Sequence, residues 1–170
     1  MASTTPRGCI AVWDMVDHFE PEGSLGAGGV VDAQISGRIL LIDDDPHFLH
    51  ILQRILSGEK FQVTATSNPC EAIGLLRFGN FNLIICDLRM PDCDGLNLLQ
   101  TIRGSGNEIP VIILTAYGEV DTYLEAMNAG ATEYLNKPIN SDELIVVVRK
   151  CLRRGNNHTI NKPPQNVRSA

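Results

Sequence analysis

Four short apolar runs in this chain each end in residues that could do chemistry. Ile39-Leu40-Leu41-Ile42 runs into Asp43, Asp44 and Asp45, and Leu83-Ile84-Ile85-Cys86 runs into Asp87. Val111-Ile112-Ile113-Leu114 ends at Thr115, and Tyr134-Leu135 leads to Asn136, Lys137 and Pro138. Gathered in one crevice, Asp43, Asp44 and Asp87 would crowd three carboxylates, which is costly unless a cation neutralises them. Hard oxygen ligands with room for water suit Mg²⁺. A divalent ion there would leave a carboxylate oxygen free to attack phosphorus and would offset charge growing on phosphoryl oxygens. Lys137 adds a point charge for the same oxygens and Thr115 a hydroxyl donor. The set suits phosphoryl transfer to a carboxylate. Residue types alone leave the nucleophile open among the three acids. Asp87 is favoured because it follows the most apolar run and has no acidic neighbour, whereas the adjacent Asp43 and Asp44 suit shared metal duty.

The elements that must position these residues alternate regularly. Apolar runs at 38–42, 61–65, 82–86, 110–114 and 132–135 read as strands. Amphipathic stretches at 46–56, 69–78, 95–102, 119–128 and 142–152 read as helices. Asp45 before Pro46 is a helix cap followed by proline at the first helical position. Gly58 is expected to end that helix, and Ser141 to cap the fifth. Val120, Tyr123, Leu124 and Met127 are expected to face the core. Five strand–helix units imply a parallel sheet covered by helices on both faces, with right-handed crossovers. In such a sheet, chemistry gathers at the carboxyl ends of the strands, where all four polar groups fall.

The chain has 170 residues and a formal net charge of −6, with 44% hydrophobic and 20% charged residues. That is enough for one domain and some tail. The acidic balance argues against non-specific nucleic-acid binding, and no apolar run approaches the length of a membrane span. Five cysteines, an odd number with no C-x-x-C pair, imply neither a disulfide framework nor a zinc site and fit a reduced, cytoplasmic setting. Residues 1–37 are rich in glycine and proline without periodicity and read as a flexible leader. Residues 155–170 are polar, contain Pro163-Pro164, and read as a disordered tail. That division leaves residues 38–154 as the folded domain, which would act without an output domain of its own.

Residues 38–154 resemble a response-regulator receiver domain of bacterial two-component systems. The resemblance rests on four motifs in order: Asp43-Asp44-Asp45; Asp87-Leu88-Arg89-Met90-Pro91-Asp92-Cys93-Asp94-Gly95; Leu114-Thr115-Ala116-Tyr117-Gly118; and Tyr134-Leu135-Asn136-Lys137-Pro138. The last two look most like receivers of the NtrC type. The resemblance implies a flavodoxin-like, doubly wound (βα)5 fold with a five-stranded parallel sheet in the order 2-1-3-4-5. It implies that Asp87 is phosphorylated, that Asp44 binds Mg²⁺ directly, and that Asp43 acts largely through water. The backbone carbonyl of Arg89 would complete the metal shell. Thr115 would be the switch hydroxyl, Lys137 the phosphate-binding lysine, Tyr134 the switch aromatic, and Pro138 the proline after the lysine, often in a cis bond. Tyr117, two residues past Thr115, is expected to restrict water and help set the lifetime of the acyl phosphate. The implied partners are a sensor histidine kinase or histidine phosphotransfer protein and a downstream protein, with no nucleic acid or membrane. A Mg²⁺-dependent phosphatase with an aspartyl-phosphate intermediate and a binding module that never uses phosphate are the competing readings. The first lacks a clear second acid and substrate cap; the second would not need the full acid, hydroxyl and lysine set.

Overall fold

The computed structural model describes residues 36–91, 94–116 and 120–159, the last four through their backbone alone. The leader expected over 1–37 therefore lies almost wholly outside the described residues, as do Tyr117, Asp92, Cys93 and residues 160–170.

Strands and helices alternate throughout: β1 (Arg38–Ile42), α1 (Pro46–Gly58), β2 (Gln62–Thr66), α2 (Pro69–Phe78), β3 (Leu83–Asp87), α3 (Gly95–Gly104), β4 (Val111–Thr115), α4 (Val120–Asn128), β5 (Glu133–Asn136) and α5 (Ser141–Thr159). All four strand pairs are parallel, in the order β2-β1-β3-β4-β5. Every residue of β3 and β4 is buried, as continuous apolar runs in a sheet covered on both faces should be. The edge strand β2 alternates between exposed and covered positions instead.

The strand pleat divides the core in two. Ile39, Leu41, Leu83, Ile85, Ile112 and Leu114 pack with α1 and α5 through Leu49, Leu52, Leu56, Leu144, Val148 and Leu152. The alternate residues Leu40, Ile42, Ile84, Cys86, Val111 and Ile113 pack with α2, α3 and α4 through Ala72, Leu98, Leu99, Ile102 and Ala126. Each fully buried Leu or Ile side chain favours folding by about 1.5–3 kcal/mol relative to exposure. Cys86 and Cys151 are buried within these layers, the Cys86 thiol donating to the Asp87 carbonyl at 3.1 Å.

Helix starts follow their caps. The Asp45 carboxylate accepts from the amides of His47 and Phe48, and Asn68 caps α2 from the amides of Cys70 and Glu71. At α5 the cap is Asn140, whose side chain accepts from the Asp142 amide at 2.8 Å, while Ser141 is already helical. That helix continues to Thr159, beyond the apolar periodicity that ends at Leu152, because adding residues to a formed helix is far easier than nucleating one. α1 ends at Gly58, but the left-handed backbone beyond it falls on Lys60, at φ 66°. β4 begins at Val111 rather than Pro110: proline has no amide to donate, and the Val111 amide donates to Thr132 Oγ1 at 3.1 Å.

α4 differs from its expected burial. Only Ala126 is fully covered; Met127 is half-buried, and Val120 and Leu124 are 74% and 51% exposed. This nine-residue helix rests on the sheet through a small residue, which turns its Val120–Leu124 stripe outward. Tyr123, also exposed, meets the Tyr134 ring edge-on at a centroid distance of 5.5 Å. The loop after α4 is tied down by Arg103, which donates to the Gly130 carbonyl through Nε and Nη2 and to the Asn107 carbonyl through Nη1. No described helix is long and apolar enough to cross a membrane.

Candidate functional site

The chain order reverses between β1 and β3: β2 lies beyond one and β4 beyond the other. A crevice opens at the carboxyl ends of such a strand pair. Asp43 immediately follows β1 and Asp87 is the last residue of β3, so both flank it. Thr115 ends β4, one residue beyond the Leu114 that pairs with Asp87, and Lys137 follows β5. Hydrogen bonds carry the ladder past the strand ends: Asp43 N donates to Thr66 O at 3.4 Å, Leu88 N to Leu114 O at 2.9 Å and Lys137 N to Thr115 O at 2.7 Å.

The Lys137 ammonium bridges the two acids. Its Nζ lies 2.6 Å from Asp43 Oδ2 and 2.6 Å from Asp87 Oδ1. Each carboxylate gives its other oxygen to a backbone amide: Asp43 Oδ1 accepts from Asp45 N at 2.9 Å and Asp87 Oδ2 from Arg89 N at 2.7 Å. Asp43 and Asp87 are 2% and 5% exposed, and Thr115 is fully buried. Burial pushes the Asp43 carboxyl above its ordinary range, against the downward pull of Lys137 and the Asp45 amide; the nearby Asp87 charge adds to the rise. Burial also works to lower the Lys137 ammonium, but hydrogen bonds and charge from Asp43 and Asp87 outweigh it and hold the lysine above its ordinary value.

The remaining residues of the expected set are placed less uniformly. Asp44 is exposed at the rim, and so is the Arg89 side chain; Arg89 meets the crevice through its backbone. The Lys137–Pro138 peptide is cis. Tyr134 is half-buried, with its hydroxyl 2.9 Å from Thr122 Oγ1 on α4. Tyr117 lies outside the described residues.

Two contributors were not singled out from the sequence. Phe48 places its ring centroid 4.2 Å from Lys137 Nζ. Gly95 donates its amide to Leu88 O at 2.9 Å, and a Cβ there would stand 2.1 Å from the Asp87 carbonyl oxygen. Only glycine lets the α3 start approach the Asp87 backbone so closely. The glycine was visible as the end of the Asp94-Gly95 motif; nothing in the spacing of Phe48 and Lys137 marks them as neighbours.

Among the described residues no group of three or more His, Cys, Asp or Glu side chains is gathered into a metal cage. Mg²⁺ asks for less: one or two carboxylates, with its remaining positions kept by water. The bridged oxygens of Asp43 and Asp87 are separated by at most twice their 2.6 Å distance from the Lys137 ammonium, with a cation already between them. This donor chemistry fits a small divalent cation.

Known proteins share this arrangement of elements. The family model for the response regulator receiver domain matches residues 39–149. The chain is 40% identical over 114 residues to the transcriptional regulatory protein ZraR of Klebsiella oxytoca, covering 67% of this chain and 26% of that protein. It is 38% identical over 133 residues to the two-component response regulator ORR24 of Oryza sativa subsp. japonica, covering 77% of this chain and 21% of that protein. The chain thus spans about a quarter or less of the length of these relatives. Among solved structures, a CheY-like response regulator receiver domain protein from Methanospirillum hungatei superposes with a TM-score of 0.68 at 28% identity, covering 71% of this chain and 97% of that one. With sheet order, strand-end acids and bridging lysine all in place, the chain belongs to the response regulator receiver domain family.

Proposed function

We propose that this protein is a phosphorylation-dependent switch of a two-component or phosphorelay system, with Asp87 as the phosphoacceptor and residues 38–154 as the working unit. One observation carries the reading: a single half-buried lysine ammonium joins the buried Asp43 and Asp87 at the point where the strand order reverses. The phosphoryl donor is a phosphohistidine on a sensor kinase or a phosphotransfer protein. An Asp87 carboxylate oxygen attacks phosphorus; the P–O bond forms as the P–N bond breaks, and the electron pair leaves with the imidazole nitrogen, which takes a proton from water. Lys137 meets the charge on the phosphoryl oxygens, and the Thr115 hydroxyl, one strand over, donates to the same group. Mg²⁺, held by Asp43, Asp44, Asp87 and the Arg89 carbonyl when bound, supplies positive charge against those oxygens. Tyr134 then changes its packing as Thr115 moves, which biases the face formed by α4 and β5 between two states. A downstream protein reads that face. Slow hydrolysis of the protein's own acyl phosphate ends the signal, with Tyr117 restricting water, in a cytoplasmic setting.

Acetyl phosphate with Mg²⁺ should add one hydroxylamine-sensitive phosphoryl group, seen by intact mass, and Asp87→Asn should abolish it. Equal labelling of the variant would remove Asp87 from this role.

A further inference from the structure

The Lys137 ammonium has three N–H groups. Two directions are taken by carboxylates, Asp43 and Asp87, each at 2.6 Å. On a third side lies the Phe48 ring, 4.2 Å away at its centroid. The ring is held in place. Phe48 sits in the first turn of α1, its amide donates to the Asp45 cap at 3.3 Å, and its half-buried side chain packs against the core layer that also receives Leu135 and Ile139, on either side of Lys137. Ring and ammonium come from opposite ends of the domain and meet only because β1 and β5 both end at this edge.

We propose that Phe48 is a positioning residue for phosphoryl transfer: the face of its ring attracts the Lys137 ammonium and keeps it in the crevice where it meets the phosphoryl oxygens on Asp87. This inference rests on the reading of Asp87 as phosphoacceptor. Any apolar side chain of similar volume could serve as a wall. An aromatic ring adds a negative face, and the attraction of a cation to it grows when the pair is withdrawn from water, as Lys137 is at 19% side-chain exposure.

The test separates shape from electrostatics. Phe48 is replaced in the full chain by phenylalanines carrying one, three and five ring fluorines, which keep the ring's shape and progressively weaken its negative face. Phe48→Leu and Phe48→Trp complete the set. Labelling by acetyl phosphate at saturating Mg²⁺ should slow stepwise along the fluorinated series. The total loss should be about 2- to 30-fold, the range that cation–π attractions of ordinary strength give. Leu should match the most fluorinated ring and Trp should equal or exceed wild type. The Lys137 ammonium resonance, followed by nitrogen NMR without any phosphodonor, should exchange faster with water in the same order. Wild-type labelling with a flat series in both readouts overturns the role of Phe48 and leaves the proposed function standing. A wild-type chain that takes no label overturns the proposed function, and this inference with it.

Discussion

Removing the Lys137 charge should expose the cost of the site it holds together. In Lys137→Met a long apolar side chain replaces the lysine, and Asp43 and Asp87 face each other without their shared cation. Their bridged oxygens lie no further apart than twice 2.6 Å. At an effective dielectric of about 20, two unit charges at that separation repel by about 3 kcal/mol. Loss of one partner from a buried charge pair costs a similar amount, about 3–5 kcal/mol. Solvent does little to reduce this, since Asp43 and Asp87 are 2% and 5% exposed. Lys137→Met should therefore be less stable than wild type by about 3 kcal/mol in urea titrations at neutral pH with EDTA. The deficit has a definite pH dependence. Asp43 already has its carboxyl above the ordinary range through burial, and losing Lys137 removes two of the influences that lower it. A raised carboxyl destabilises the fold above its folded pKa and stops doing so as pH falls through that value, so the deficit should shrink on acidification. Adding Asp43→Asn to Lys137→Met, which removes the repelling charge, should recover most of the loss. At the alkaline end, the stabilisation from the raised lysine is complete below its ordinary value of 10.5 and fades as pH rises through the folded value, so the two proteins should converge there. If Lys137→Met stays within about 0.5 kcal/mol of wild type at neutral pH in EDTA, the ordinary range for an inert surface change, the reasoning fails.

Two further predictions concern residues around the site and in the core. Gly95→Ala puts a methyl group 2.1 Å from the Asp87 carbonyl oxygen, a backbone atom that cannot step aside alone. It should cost about 3 kcal/mol by denaturation and slow acetyl phosphate labelling, and a variant as stable as wild type would show that α3 can retreat freely. Burial first, then the Glu133 charge, pushes the Cys151 thiol up to about 11 from 9.0. The unfolded chain therefore ionises first, and stability should fall by about 2–3 kcal/mol between the two values as pH rises. Cys151→Ala should flatten that slope, and an unchanged slope would locate its origin elsewhere. At mildly alkaline pH, the native thiol should resist iodoacetamide and react on unfolding.

The fold was legible because its determinants are local or periodic. Ile84, Ile85 and Cys86 form an unbroken apolar run because both faces of β3 are covered, and the run ends in the acid that enters the crevice. Caps such as Asp45 are contacts of two or three residues, within reach of a pattern. What escaped depends on packing between distant segments. The amphipathic pattern of α4 contains Val120 and Leu124 at helical spacing, but nothing in it says that Ala126 alone would be fully buried by the sheet. Ser141 and Asn140 are adjacent polar residues, either of which could cap α5, and one residue of phase decides between them. The strand-end acids and lysine were legible as a set because each ends a strand or immediately follows one. Phe48 was not: it lies on a helix, and its ring meets Lys137 only after the whole sheet has formed.

The charge balance of the crevice also bears on how a phosphoryl group would act there. With Asp43 and Asp87 ionised, one ammonium faces two buried carboxylates, and Asp44 waits exposed at the rim. Phosphorylating Asp87 replaces a single negative charge by a group carrying nearly two. Lys137 cannot neutralise that gain while remaining bound to Asp43 at 2.6 Å in the same geometry. Either the lysine turns toward the phosphoryl oxygens and leaves Asp43 short of a cation, or a second cation enters. Asp43 and Asp44 would hold a divalent ion that would supply the second positive charge, leaving Lys137 for the phosphoryl group. Lys137 follows β5 three residues after Tyr134, whose hydroxyl contact with Thr122 joins β5 to α4, so a shift of the lysine would act on the same short strand. On this reasoning, a site with Lys137 intact but Asp44→Asn should keep wild-type stability in EDTA and lose most of its Mg²⁺-dependent labelling. Comparable labelling across a Mg²⁺ titration would show that the rim carboxylate has no part in the exchange of cations.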